Sequence, residues 1–182
     1  MELSVNVLSW LGQPKKAVTA QTIKFNRFNL TFNSRCKLKP GQLILLNISN
    51  NSLTRIKGLG DLELIQYINI SGNQLLEIEE LENLLKLRYL DIRNNQLKVL
   101  RLKNLNELIV ILTGNNPIEY VNIDGLNLIT TLRLNNLRIK KVKLSKLPQL
   151  RYLVLNHNQL TTIEGVNEFC NLKGLYLHRN FL

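Results

Sequence analysis

Cysteine is scarce in this chain. Cys36 and Cys170 are the only two; they lie far apart, without CxxC spacing or a nearby histidine, which excludes a disulfide framework and a cysteine zinc site. Both are expected as buried thiols. Histidine is as rare: His157 and His178 have no nucleophile beside them and no third ligand, and no Gly-rich phosphate loop occurs. With no convergent acid, base and nucleophile, the sequence points away from an enzyme and implies neither a cofactor nor a metal. Long apolar runs are missing too. None approaches the ~18 residues of a membrane span, and MELSVNVLSWLGQPKK carries Glu2 where a secretion leader carries positive charge. The expectation is a cytoplasmic chain without membrane association. Charged residues make up 20% of the chain against 45% apolar ones, so a disordered tail is excluded and 182 residues suffice for one substantial core.

Acidic residues are the remaining shortage, 13 against 24 Lys and Arg, for a net charge of +11. Residues 1–42 hold seven basic residues and Glu2 alone, so the excess is concentrated at the front. Such a balance suits acidic partners, including nucleic acid or an anionic surface, and it equally keeps a protein soluble.

What the chain has in abundance is a repeated phrase. LRYLDIRNNQL (87–97) returns as LRYLVLNHNQL (150–160) with seven of eleven letters unchanged. Aligned on LxxLxLxxNxL, seven segments begin at Leu43, Ile65, Leu87, Leu108, Ile129, Leu150 and Leu172, spaced by 21 or 22 residues. Within LxL the apolar residues alternate at period two, so Leu90 and Ile92 face one way and Asp91 the other, as in a short strand. Such a strand cannot stand alone. Each repeat offers about seven aliphatic side chains, worth roughly 10–20 kcal/mol if fully buried, while ordering some 21 residues costs at least as much. Stacking resolves the deficit, because each coil covers its neighbour's apolar face.

The frame resembles the leucine-rich repeat superfamily over about 140 of the 182 residues. The resemblance implies a largely β solenoid, a right-handed superhelix with a parallel concave sheet and short helical or extended convex segments. Where the chain leaves each strand, backbone groups are buried without partners, and an Asn there can donate and accept at once. The resemblance implies a ladder of such residues: Asn51, Asn73, Asn95, Asn116, Asn158 and Asn180. Leu137 takes the rung in the fifth repeat, where a looser or apolar turn is expected, and Thr113 puts a hydroxyl where other repeats have Leu or Ile. In the 22-residue units the return half reads IxxLxxL (Ile56, Leu59, Leu62; Ile78, Leu81, Leu84), a period suited to 3-10 or α turns. These look like the units of the phosphatase-1 regulatory subunit and of bacterial internalins. The 21-residue units read VxLxxL (Leu100, Leu102, Leu105; Val121, Ile123, Leu126; Val142, Leu144, Leu147) and resemble the class called IRREKO, with extended chain expected. Helical convex turns are therefore predicted at the ends of the array and β-like ones in its middle.

Residues 1–42 are expected to form an N-terminal cap. IKFNRFNLTF (23–32) fits the frame loosely as a degenerate first coil with Phe28 in the Asn slot, and a short amphipathic helix is expected to begin residues 1–20, where Leu3, Val7, Trp10 and Leu11 share a face. Residues 43–182 are expected to form the seven repeats, without a C-terminal cap. Leu175, Leu177 and Leu182 would face solvent there, so the chain is expected either to belong to a longer array, to self-associate through that end, or to fray.

Outward strand positions form three columns. Four of the five tyrosines lie in them, in places where the core requires none. Interfaces enrich Tyr and Arg, which bring rigid contact area with a polar tip. The candidate partner-binding residues are Tyr67, Tyr89, Asp91, Arg93, Val110, Leu112, Arg133, Tyr152, Val154 and Tyr176, centred on Tyr89, Leu112, Arg133 and Tyr152. Cross-strand preference for Tyr and Val, or copying of the repeat, would produce the same columns without a partner. A second cluster, RIKKVKLSK, sets Arg138, Lys140, Lys141, Lys143 and Lys146 among inward apolar residues, with Lys98, Arg101 and Lys103 at similar places two coils earlier. It would suit phosphates, although no aromatic interleaving or nucleic-acid motif accompanies it. The expected function is thus a non-enzymatic protein-interaction scaffold; the alternative is a basic nucleic-acid or anionic-surface binder.

Overall fold

One short strand forms in every repeat. The structure, a computed structural model, describes residues 2–4, 22–24 and 43–182. Leu45–Asn47, Tyr67–Asn69, Tyr89–Asp91, Val110–Leu112, Thr131–Arg133, Tyr152–Val154 and Gly174–Tyr176 occupy equivalent frame positions in successive repeats. The first four pair with one another, and the last three with one another, in parallel and in register: Leu90 opposes Ile68 on one side and Ile111 on the other. The central residues Leu46, Ile68, Leu90, Leu132 and Leu153 are at most 1% exposed, as period-two alternation requires of a strand with one face in the core. The product is a parallel β-solenoid. Thr22–Lys24 adds a strand before the first repeat, with Ile23 opposite Leu46, in the register of the degenerate coil.

The return halves follow the two spacings. The 22-residue repeats make 3-10 turns at Leu59–Asp61, Leu81–Asn83 and Val166–Glu168. Each is entered through a left-handed residue, Gly58, Glu80 or Gly165. The 21-residue repeats make five-residue strands, Val99–Lys103, Tyr120–Asp124 and Lys141–Ser145, which pair in parallel into a convex sheet. Alternation buries Leu100, Leu102, Val121, Ile123, Val142 and Leu144 beneath it.

Asparagine closes the turns. The Asn95 amide donates to the carbonyls of Ile70 (3.0 Å) and Ile92 (3.1 Å), and its Oδ1 accepts the Leu75 N–H at 3.1 Å. Asn73, Asn116 and Asn158 repeat this pattern, and Asn180 does so in a half-buried setting. Asn51 donates to the carbonyls of Ile48 and Ser49 in its own coil. The residue ahead of each rung, or of Leu137 in its place, is left-handed: Asn50, Gly72, Asn94, Asn115, Asn136, His157 and Arg179 have φ between 54° and 67°. That region disfavours most L side chains and tolerates Asn and Gly, which accounts for the recurring Asn-Asn and Gly-Asn pairs.

Two expectations are corrected. Glu2–Ser4 is a strand, not the start of a helix. It pairs in parallel with Arg55–Lys57, whose backbone at the convex edge of the first repeat offers it a ladder; the rest of the expected helix, and the segment from Phe25 to Gln42, lie outside the described residues. Cys170 is exposed. After the 3-10 turn, Phe169 takes the buried slot that Leu62 and Leu84 hold in other repeats, which leaves Cys170 in the solvent slot of Glu63 and Leu85. Cys36 lies outside the described residues.

Candidate interaction surface

The concave columns change character halfway along the array. In the first three repeats the outward polar groups are satisfied locally. Asn47 Oδ1 accepts the Ser49 N–H and hydroxyl at 3.1 and 2.8 Å, and Asn69 does the same for Ser71 at 3.0 and 2.7 Å. Asp91 takes the Arg93 N–H at 3.1 Å, Nε at 3.0 Å and Nη2 at 2.7 Å. The Asp91 side chain is 2% exposed. Its inclusion among partner-contacting residues is therefore corrected: its carboxylate is covered and spent on orienting Arg93. The hydrogen bond to Asp91 raises the affinity of that guanidinium for its proton, against the opposing effect of burial.

Aromatic side chains fill the first column. Tyr67 and Tyr89 stack with ring centres 4.3 Å apart and planes 5° from parallel. Burial, then Tyr67 and the Asp91 carboxylate, push the Tyr89 hydroxyl above its ordinary pKa. Val110 follows at 37% exposure and Tyr152 at 40%, with Tyr176 at 45% in the adjoining column. Leu112 and Val154 are half-buried and Arg133 is exposed. A Cβ on Gly174 would lie 2.9 Å from both Tyr152 Cδ1 and Tyr176 Cε2, so the missing side chain is what lets the two rings lie over the final strand. Ile109, half exposed, extends the patch sideways and was not singled out from sequence. The available signal was an isoleucine, as at Ile44 in the first repeat, at the frame position held by Gln66, Arg88, Thr130, Arg151 and Lys173 in the others.

Between repeats four and five the concave sheet is open. Among the described residues no backbone hydrogen bond joins Val110–Leu112 to Thr131–Arg133. Elsewhere the sixth frame residue donates its N–H to the next strand, as Ile92 does to Leu112 at 2.9 Å and Leu134 to Val154 at 2.8 Å. At the seam the Thr113 hydroxyl donates to the Arg133 carbonyl instead, at 3.3 Å. The two departures from the frame meet here: Thr113 stands in an aliphatic slot, and Leu137, 6% exposed, replaces the amide that would tie the fifth turn to the fourth. The opening leaves a notch of about 170 Å³ lined by Arg93, Leu112, Thr113, Gly114, Arg133 and Asn135, among others.

The basic cluster lies on the opposite side. Its outward rows on the convex sheet are Val99–Tyr120–Lys141, Arg101–Asn122–Lys143 and Lys103–Asp124–Ser145. A broad groove of about 610 Å³ runs among Arg101, Lys103, Asn122, Asp124, Lys143 and Lys146, with Glu82 at its rim. The Ser145 hydroxyl at 2.9 Å, and then the charge of Lys146, hold the Asp124 carboxyl below its ordinary range. Lys140 pairs with Glu119 at 2.8 Å, whereas Lys98, Arg101 and Arg138 are exposed.

The two histidines meet across neighbouring repeats. The left-handed turn at His157 brings its ring within 5.4 Å of His178, edge to face. Among the described residues no three His, Cys, Asp or Glu side chains converge as metal ligands, and no helix is long and apolar enough to cross a membrane.

No family model and no curated protein sequence matches this chain. A solved structure does: the functional domain of InlJ from Listeria monocytogenes, described as including a cysteine ladder, is 26% identical and superposes with a TM-score of 0.52 over 84% of this chain and 34% of that one. The chain thus spans about a third of that structure's length. Where that domain is noted for cysteine, this one, with two cysteines, stacks its coils on asparagine. Repeat length, strand register and the likeness to an internalin domain agree, and the chain is a leucine-rich repeat protein.

Proposed function

We propose that this chain is a non-enzymatic interaction module that binds a protein partner on its concave face, around Tyr89, Leu112, Arg133 and Tyr152. The observation that carries the proposal is the run of exposed apolar and aromatic side chains, Val110, Tyr152 and Tyr176, on a sheet whose core side is already filled. Rigid aromatic area beside a guanidinium is what interface centres favour, and leucine-rich repeat folds typically serve protein binding. Substituting Tyr89→Ala and Tyr152→Ala should weaken a partner about 30-fold or more, as loss of central anchors does, while the lost Tyr67–Tyr89 stack costs stability only about 0.5–1.5 kcal/mol. Undiminished partner binding by the double variant refutes this face.

A second function is favoured by the Arg101–Asn122–Lys143 row, which presents two cations on the convex sheet, away from the tyrosines of the concave columns. A phosphate-bearing ligand there would lose affinity steeply between about 50 and 200 mM salt. Binding that is insensitive to salt supports the concave face instead.

A further inference from the structure

We infer that the seam between repeats four and five is a carboxylate-binding notch, and that the partner inserts an Asp or Glu side chain there beside the apolar patch. This rests on the concave face being the binding surface, and names the chemistry it reads.

The notch is lined on both flanks by arginine. Arg93 is held in place by Asp91. Arg133 is exposed, and no ion pair among the described residues engages it. Beneath them, the Thr113 and Asn115 N–H groups are the ones that in other repeats donate to the next strand, as Ile92 and Asn94 do. At the seam neither has a backbone acceptor among the described residues, and both residues line the notch. A carboxylate accepts through two oxygens, and a guanidinium with N–H groups near it is the donor set that holds one.

Gly114 keeps the notch open. Its φ is not positive, and a Cβ there would meet only Arg93 Cγ at 4.0 Å. Neither backbone conformation nor crowding therefore requires glycine, and the equivalent positions carry Ser71, Arg93, Asn135 and Asn156. At about 170 Å³ the space admits one side chain and not a cofactor, whose sites run to ~300–1,000 Å³. Leu112 lines it, and the exposed Val110 lies two residues earlier on the same strand, so the matching segment presents an acidic residue next to an apolar one.

The test is selection of a displayed random-peptide library on the full chain. The selected peptides should carry Asp or Glu beside an apolar residue, and changing that acid to its amide should weaken binding about ten- to hundredfold. Gly114→Gln, which fills the notch, and Arg133→Gln, an exposed change that spares the fold, should each cause a similar loss. Peptides without an acid, or binding indifferent to both variants, would overturn the notch. If such peptides are still lost on Tyr89→Ala and Tyr152→Ala, the concave face stands and the notch alone falls. Binding of a random oligonucleotide that Arg133→Gln abolishes would assign the site to phosphate and overturn the carboxylate.

Discussion

Removing one rung of the asparagine ladder tests the stacking physics most directly. Asn95→Ala deletes an amide that is 6% exposed. Its Nδ2 partners are not orphaned, because the Ile70 carbonyl also accepts from Asn73 at 3.0 Å and the Ile92 carbonyl from Asn116 at 2.9 Å. The Leu75 N–H is different. It has only Asn95 Oδ1, at 3.1 Å, and is left buried without an acceptor. An orphaned buried donor costs about 1–3 kcal/mol, and the lost amide bonds and small void add a further share, for about 2–4 kcal/mol in all. Asn180→Ala is the internal control: the same bonds are lost, but in a half-buried coil where water replaces them, so the cost should stay near 1 kcal/mol or below. Urea unfolding followed by circular dichroism reads both. Equal costs for the two variants, or a cost below about 0.5 kcal/mol for Asn95→Ala with an unchanged m-value, would refute the ladder as a load-carrying element of the stack.

Lys146 is left-handed at φ 53°, in the frame position held by Asn104 and Gly125 in the two preceding repeats. Lys146→Gly should relieve some of the roughly 1–2 kcal/mol that this conformation costs an L residue and raise the melting temperature by about 2–3 °C, since its 3.5 Å contact with Asp124 is solvent-screened; a lower melting temperature in calorimetry counts against the strain. The Glu107 carboxylate accepts from Lys86 and Arg88, which together hold its pKa below the ordinary glutamate value. The folded state thus holds this proton less well than the unfolded one, so the stabilisation is present at neutral pH and lost as pH falls through the folded-state pKa. A carbon-13 NMR titration should show Glu107 titrating low and moving up in Lys86→Met; an unmoved midpoint would discard the pairing.

Much of this architecture was legible in the letters. Leu46, Ile68 and Leu90 declared their faces through period two, the return halves declared helix or strand through period three or two, and the asparagines declared where buried backbone needed an amide. Four of the left-handed residues ahead of the rungs were written there too, as the Asn-Asn and Gly-Asn pairs at Asn50, Gly72, Asn94 and Asn115, whereas His157 and Arg179 carry no such sign. The candidate site was legible as three columns of outward residues, but not in its working details. Asp91 reads like any outward polar residue, and only the reach of Arg93 closes over it. Cys170 reads as a buried thiol until Phe169 takes the inward slot.

Sequence alone determined the coil, because which side a residue faces depends on its immediate neighbours and on a repeat that every unit shares. Tertiary structure decided what happens between coils. Thr113 and Leu137 are 24 positions apart in the text, and each is a mild departure by itself. Brought onto adjacent turns, they leave donors without acceptors and hold neighbouring strands apart, and the opening between them depends on distances that no single repeat contains.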